Sequence, residues 1–374
     1  MPSADVCNIA LSLLKGVTPE FLSHLSEAGL EASHAMRMEP ARLASLIGCN
    51  PDRIWTGTER DAAMHRAEEI ETFCTKKHIE ILHFGHEGYP VRLRECHDAP
   101  VILYKIGPAS LDAERMIALV GTRRATPLAE RFCREFVAEL KEKAGEVTIV
   151  SGLAFGVDAM AHQAALDCAM PTVGVLAHGL DMIYPAQNKP LAEKIIRGGA
   201  LITEYPPGVK PFRGNFLARN RIVAGLTSGT LVVESPVKSG ALNTANVAFG
   251  YSREVMAVPG RPSDLSSEGC NMLIRRNKAA LVLGAAQAME TLGWNPREEA
   301  EAEGAKERQL SLFDTLQGND LTVYTAISRE PQGMSVDMVV ARTGLRLVEV
   351  ADILYNMEFN GALVRLPNSR YIIP

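Results

Sequence analysis

In "VTIVSGLAFGVDAMAH", Val147 to His162, a short apolar run passes through a glycine-containing loop directly into a helical pattern. The same unit recurs between about residues 110 and 285. Its apolar runs read "MIALVG", "VTIVSG", "TVGVLA", "ALITEY", "TLVVES", "EVMAVPG" and "ALVLG", each followed by a glycine-containing loop and often by a helix. Short strands alternating with helices predict an α/β fold built on a doubly wound, mostly parallel sheet. Ligands of such sheets bind at the carboxyl ends of the strands. The first two loops there, "GTRRATP" and "SGLAFGVDAMAH", lead into helices whose backbone N–H groups and dipoles suit phosphate oxygens. Arg123 and Arg124 add charge-assisted contacts. The glycines of either loop, taken alone, serve equally to let strand and helix pack closely.

Standard nucleotide signatures are missing. The chain has no G-x-x-x-x-G-K-[ST] and no intact G-x-G-x-x-G with an acidic residue about 20 positions later, which argues against a Walker-type ATPase and a dinucleotide cofactor. With 374 residues, 47% of them hydrophobic, the chain can bury a sizeable core in two or three domains. No apolar run reaches the ~20 residues of a membrane span, and the amino terminus lacks a signal-peptide pattern, so cytoplasmic residence is expected. Seven scattered cysteines without a C-x-x-C pair predict reduced thiols rather than a disulfide framework or a zinc site.

Charge is informative once divided along the chain. The formal net charge is −5, yet residues 205–280 hold ten Lys and Arg against four Asp and Glu, a local +6. That asymmetry predicts an anion site. Within it, "KPFRGNFLARNRIVAGLTSGTLVVES" (Lys210–Ser235) interleaves Arg213, Phe216, Arg219 and Arg221. Cations following a sugar-phosphate backbone beside an aromatic that stacks on a base suit single-stranded nucleic acid. A core position for Phe216 fits the same spacing.

Six segments in order, "VGTRRATPLAE", "SGLAFGVDAMAH", "HGLDMIYPAQN", "ITEYPPGVKPFRGNFLARNRIVAGLTSG", "VVESPVKSGALNTANVA" and "VMAVPG" followed by "GCNMLI", resemble the motifs of the bacterial DNA-processing protein A (DprA, or Smf) family. The resemblance covers about residues 110 to 285. It implies an extended Rossmann-like domain, placed here at residues 76–290, that binds single-stranded DNA, forms a homodimer and helps load the RecA recombinase onto incoming strands in natural transformation. Residue by residue, it implies phosphate binding by Arg123 and Arg124, a second loop offering Ser151, Gly152 and Gly156, and base stacking by Phe216. Arg213, then Arg219, Asn220 and Arg221 of the RNR core, and Lys238, Ser239, Gly240 and Asn243 of the "KSGALNTA" loop complete the expected DNA-binding set. One departure concerns Pro127-Leu128, where many relatives have Tyr-Gly, which leaves the shape of the first loop open.

The competing reading is an enzyme. Related Rossmann-like proteins that process nucleoside monophosphates carry a Gly-Gly-x-Gly-Thr motif and a following Glu; here Glu234 would be the acid/base group and Arg221 a phosphate clamp. Thr227-Ser228 replaces the glycine pair, so a non-enzymatic binding protein is the expectation. Asp158 and His162 stand four residues apart on a helix, but no third ligand accompanies them, and no metal is assigned. Ser151 lacks a G-x-S-x-G elbow.

The flanking segments read differently. Residues 1–75 suggest short helices broken at Gly16 and Thr18-Pro19, with Gly29 as a stop, either a helix-hairpin-helix-like module or a small packing domain. Residues 291–317 read as a solvated linker. Gln309, Leu310, Leu312 and Phe313 resemble the peptide that docks on the replication sliding clamp, while the same apolar residues suit anchoring of the next domain. Residues 318–374 read as three helices and a hairpin, an order that resembles a winged helix. Glu349, Asp352 and Glu358 on the would-be recognition helix would repel phosphate, which predicts a protein-interaction or structural role.

Overall fold

Strand β3 (Met116–Gly121) shows how the sheet is built. Its side chains alternate between two faces, and both are covered. Met116, Ala118 and Val120 join one core, with Ile222, Val223, Ala245 and Leu273, whereas Ile117 and Leu119 join another, with Phe136, Val137 and Ala161. A strand buried on both sides reads as a continuous apolar run. The computed structural model describes residues 2–48, 55–294, 318–330, 333–359, 362–366 and 370–372.

All seven expected strands form. After β3 come β4 (Thr148–Ser151), β5 (Thr172–Val175), β6 (Ala200–Thr203), β7 (Gly229–Glu234), β8 (Glu254–Ala257) and β9 (Ala280–Leu281). Two strands were not expected. β1 (Glu80–His83) and β2 (Ile102–Ile106) are short, pair antiparallel with each other, and attach through β2 to β6. The sheet order is β1-β2-β6-β5-β4-β3-β7-β8-β9, and the seven strands from β6 to β9 run parallel. From β3 the chain winds outward to β6, then returns to the opposite side of β3 as β7. The crevice between β3 and β7 is therefore a topological switch point, where open α/β sheets bind ligands.

Helices cover both faces. α6 (Val91–Arg94), α10 (Arg213–Gly225), α11 (Gly240–Gly250) and α12 (Glu268–Arg275) lie on one side. On the other lie α7 (Pro127–Ala144), α8 (Val157–Asp167) and α13 (Ala285–Leu292). α9 (Lys189–Gly198) packs Ala192 and Ile195 against Leu176 and Leu201. The departure at Pro127-Leu128 has a physical reading: Pro127 occupies the first turn of α7 behind the N-cap Thr126, where its fixed φ and missing N–H cost nothing.

Before the sheet, α1 (Ala4–Leu13), α2 (Pro19–Glu27), α3 (Ala32–Arg37), α4 (Pro40–Ile47) and α5 (Gly57–Lys77) form a helical cluster. Thr18 caps α2 by accepting from the Phe21 N–H at 3.2 Å, and Gly29 follows its end at φ +67°. Ile9, Leu43, Trp55 and Ile70 of this segment share a core with Ile81, Ile102 and Tyr104 of β1 and β2. The chain divides into two units, Met1–Pro296 and Arg297–Pro374. In the second, α14 (Asn319–Ser328), α15 (Val336–Thr343) and α16 (Leu347–Phe359) precede β10 (Val364–Arg365) and β11 (Tyr371–Ile372), which pair antiparallel. Val323, Tyr324, Val339, Val350 and Leu354 form its core, and Met334 bridges to Tyr371. Gln309, Leu310, Leu312 and Phe313 lie outside the described residues.

Candidate nucleic-acid interface

At the switch point lies a groove of about 1150 Å³. The loop after β3 contributes Thr122, Arg123 and Arg124, the loop after β4 Gly152 and Ala154, and the loop after β7 Lys238, Ser239 and Gly240. α10 forms one wall with Arg213, Phe216, Leu217, Arg219 and Asn220, preceded by Lys210 and Pro211. Met182 and Tyr184 close the side towards β5.

Cations dominate its charge. Arg123, Arg124, Lys210, Arg213 and Lys238 are exposed and enter no ion pair among the described residues. Asp158 is the carboxylate among the lining residues; it is buried and accepts from the Ala154 N–H at 3.3 Å. Burial pushes its carboxyl above the usual range, and the nearby Arg219 charge opposes that shift. A groove lined by one sign of charge concentrates the opposite sign from solution.

Phe216 is half-buried, so the core position left open by its spacing is not where it sits. The Arg123 guanidinium lies over its ring at 5.3 Å, and the Tyr184 ring stands 5.7 Å away, tilted by 54°. Aromatic surface and free cations thus share one concavity.

Helical geometry divides the three residues of the RNR core between different tasks. Residues 219 and 221 are two steps apart, about 200° around a helix. Arg219 turns towards the sheet, is 4% exposed, and donates from Nη1 to the Gly152 carbonyl at 2.7 Å and to the Val175 carbonyl. It thereby ties the ends of β4 and β5 to α10. Its packing also explains Gly152, where a Cβ would meet the Arg219 guanidinium at 2.4 Å. Asn220 accepts from Arg219 Nε and donates to the Gly240 carbonyl, each at 3.3 Å, fixing the start of α11 relative to α10. Arg221 points away from the groove and pairs with Glu204, just beyond β6. Burial pushes the Glu204 carboxyl up, while Arg221 pulls it down.

Three other expected residues also lie outside the groove lining. Ser151 is buried and donates to the Leu119 carbonyl at 2.6 Å. Gly156 holds φ +74° ahead of α8, where a Cβ would stand 2.2 Å from the Thr122 carbonyl oxygen. Asn243 lies in the first turn of α11 without reaching the groove. The first N–H of α8, that of Val157, donates to Thr122 O at 3.2 Å, so it is already occupied. The start of α11 differs: its N-cap Ser239 engages Ser235 Oγ at 2.5 Å, and no side chain caps its first N–H groups.

His162 is a structural group. It is fully buried, its Nδ1 meets Thr172 Oγ1 at 2.7 Å, and that hydroxyl donates to the Ile149 carbonyl at 2.8 Å. Burial lowers its pKa to about 3. Among the described residues no cluster of metal-ligating side chains occurs, and no helix is long and apolar enough to cross a membrane.

The family model described as DNA recombination-mediator protein A matches residues 80–293. The chain belongs to that family. It is 40% identical to the putative DNA processing protein DprA of Mycobacterium tuberculosis over 276 residues, 73% of this chain and 69% of that protein. Against the protein Smf of Synechocystis the identity is 33%, with 97% of each chain covered. Among solved structures, DprA from Streptococcus pneumoniae matches with TM-score 0.63 and 31% identity over 76% of this chain and 97% of that one. A Helicobacter pylori DprA structure, which concerns a single-stranded DNA binding mode, matches with TM-score 0.52 and 31% identity over 57% and 95%. As a member of the recombination-mediator family, the chain is a DNA-processing protein.

Tyr184, Lys210, Met182 and Leu217 are groove residues that the expected set did not include. Lys210 carries a sequence signal, since it lies in the basic segment. Tyr184 does not: 32 residues separate it from Phe216, and only the adjacency of the β5 and β6 loops brings the rings together.

Proposed function

We propose that this chain is a non-enzymatic recombination mediator that binds single-stranded DNA in the switch-point groove and, as a homodimer, helps load RecA onto incoming strands in natural transformation. The observation that carries the reading is the Arg123–Phe216 pair inside a groove with four further unpaired cations. Phosphates take the cations, and an unstacked base takes the aromatic surface. A duplex presents no free base face, so the single strand is favoured. Membership of the recombination-mediator family and the likeness to a DprA studied with single-stranded DNA support the same reading.

The geometry favours binding over turnover. Glu234, the acid/base group of an enzymatic reading, is buried at the end of β7 and accepts on Oε2 from both the N–H (2.9 Å) and the hydroxyl (3.0 Å) of Thr126. Arg221, its imagined phosphate clamp, is held by Glu204 on the far side of α10.

Two assays test the proposal. Sub-stoichiometric amounts of the chain should shorten the lag of RecA assembly on oligo-dT, and an unchanged lag would remove the loading role. Nucleoside monophosphates incubated with the chain should be recovered intact; release of free base would instead support the enzyme.

A further inference from the structure

Tyr184 belongs to the loop that follows β5, and the residue is 45% exposed although its backbone is firmly tied. His178 Nδ1–H donates to the Gly179 carbonyl at 2.9 Å, which leaves Nε2 to accept the Tyr184 N–H at 3.2 Å. Asn188 donates to the Leu153 and Ala154 carbonyls at 2.9 and 3.2 Å, and Asp181 accepts the Gly208 N–H at 3.0 Å. The loop is thus anchored to both neighbouring loops of the groove. What it presents is an aromatic face left in solvent.

The geometry relative to Phe216 limits what that face can do. A base slotted between two rings needs them parallel and about 7 Å apart, twice the base spacing of about 3.4 Å. These rings are 5.7 Å apart and tilted by 54°, so they cannot enclose one base between them. Each can stack a base of its own, Tyr184 on its exposed face and Phe216 where the base takes the place of the Arg123 guanidinium over the ring. We infer that Tyr184 is a second nucleobase platform, so that the groove holds two consecutive bases, one on Phe216 and the next on Tyr184, with the strand turned between them. The tilt of the rings sets the turn. Lys210 and Arg213, which line the same groove, supply cations for the phosphates of the turned segment. Stacking tolerates any base, so the arrangement selects a flexible single strand without selecting its sequence.

The inference rests on the single-strand reading above, and its test separates the two. The full chain is titrated with the shortest oligo-dT that retains full affinity, in versions carrying one abasic site at each position in turn. Two neighbouring positions should each weaken binding roughly tenfold when the base is missing. Tyr184→Ala should abolish the sensitivity at one of them, Phe216→Ala at the other, and Tyr184→Phe, which keeps the ring, should restore the pair. One sensitive position in the wild-type chain, or a Tyr184→Ala variant that keeps both, would overturn the second platform while leaving the Phe216 site in place. Because the abasic series is read on the wild-type chain first, the result does not depend on how well a variant folds. No binding of oligo-dT at all would overturn the platform and the single-strand reading together.

Discussion

Two sets of cations meet around α10 and are handled in opposite ways. Arg123, Arg124, Lys210, Arg213 and Lys238 reach into the groove with no carboxylate partner among the described residues, while Arg219 and Arg221 of the same basic segment are engaged by the protein itself. The first set is available to an anion in solution. The second holds the walls that place the first. Arginine content alone therefore overstates the binding surface, and separating ligand-facing from protein-facing cations requires the helical phase and the sheet topology.

Substitutions should separate the two sets. Arg219→Ala should have the largest effect, and on stability: it leaves two carbonyls without their donor and removes the charge that opposes burial of Asp158, a loss of about 3 kcal/mol or more, read as a lower Tm or denaturation midpoint. If Arg219→Ala melted like the wild type and lost only DNA affinity, Arg219 would belong with the groove cations. Phe216→Ala should reverse the pattern, costing about 1–3 kcal/mol in oligo-dT binding with little change in melting. A large loss of stability would place Phe216 in the core.

Acid should act on the protein-facing side. His162 titrates near 3 in the fold against about 6.5 when unfolded, so the unfolded chain takes up its proton first as pH falls. Its contribution to stability is complete above about pH 6.5 and is lost progressively towards about pH 3, a cost of about 2 kcal/mol at pH 5. His178, lowered in the same direction by burial, adds to the trend. Melting at pH 5 and 7.5 for the wild type and for His162→Gln checks it; an unchanged pH dependence in the variant would clear His162 of the role. The smallest effect is expected at Lys238→Ala, which should reduce the slope of log affinity against log salt by about 0.7 and leave melting unchanged.

The sheet was legible because β3 to β9 are apolar runs bounded by glycine loops, a pattern imposed by burial on both faces. β1 and β2 were not legible. At four and five residues, with the exposed Glu80 opening the first, "EILH" and "ILYKI" carry too little pattern to separate strand from loop. Of the candidate site, the residues brought by the three switch-point loops and by one face of α10 were readable. Arg221 lies outside the groove lining, a helical phase that its proximity in sequence to Phe216 and Arg219 conceals, and its partner Glu204 lies just beyond β6. Tyr184 was not legible because its place beside Phe216 in the groove depends on a neighbour 32 positions away.

The unpaired cations and Phe216 are proposed to form one single-strand site. Its most direct measurement is fluorescence anisotropy of labelled oligo-dT and of the matching duplex across a salt series, with the wild type and Phe216→Ala. Tighter binding of the single strand is expected, with a salt slope of up to about −3.5 for up to five phosphate contacts and a weakened Phe216→Ala variant with nearly the same slope. Equal binding of duplex and single strand, or a Phe216→Ala variant indistinguishable from wild type, would contradict it.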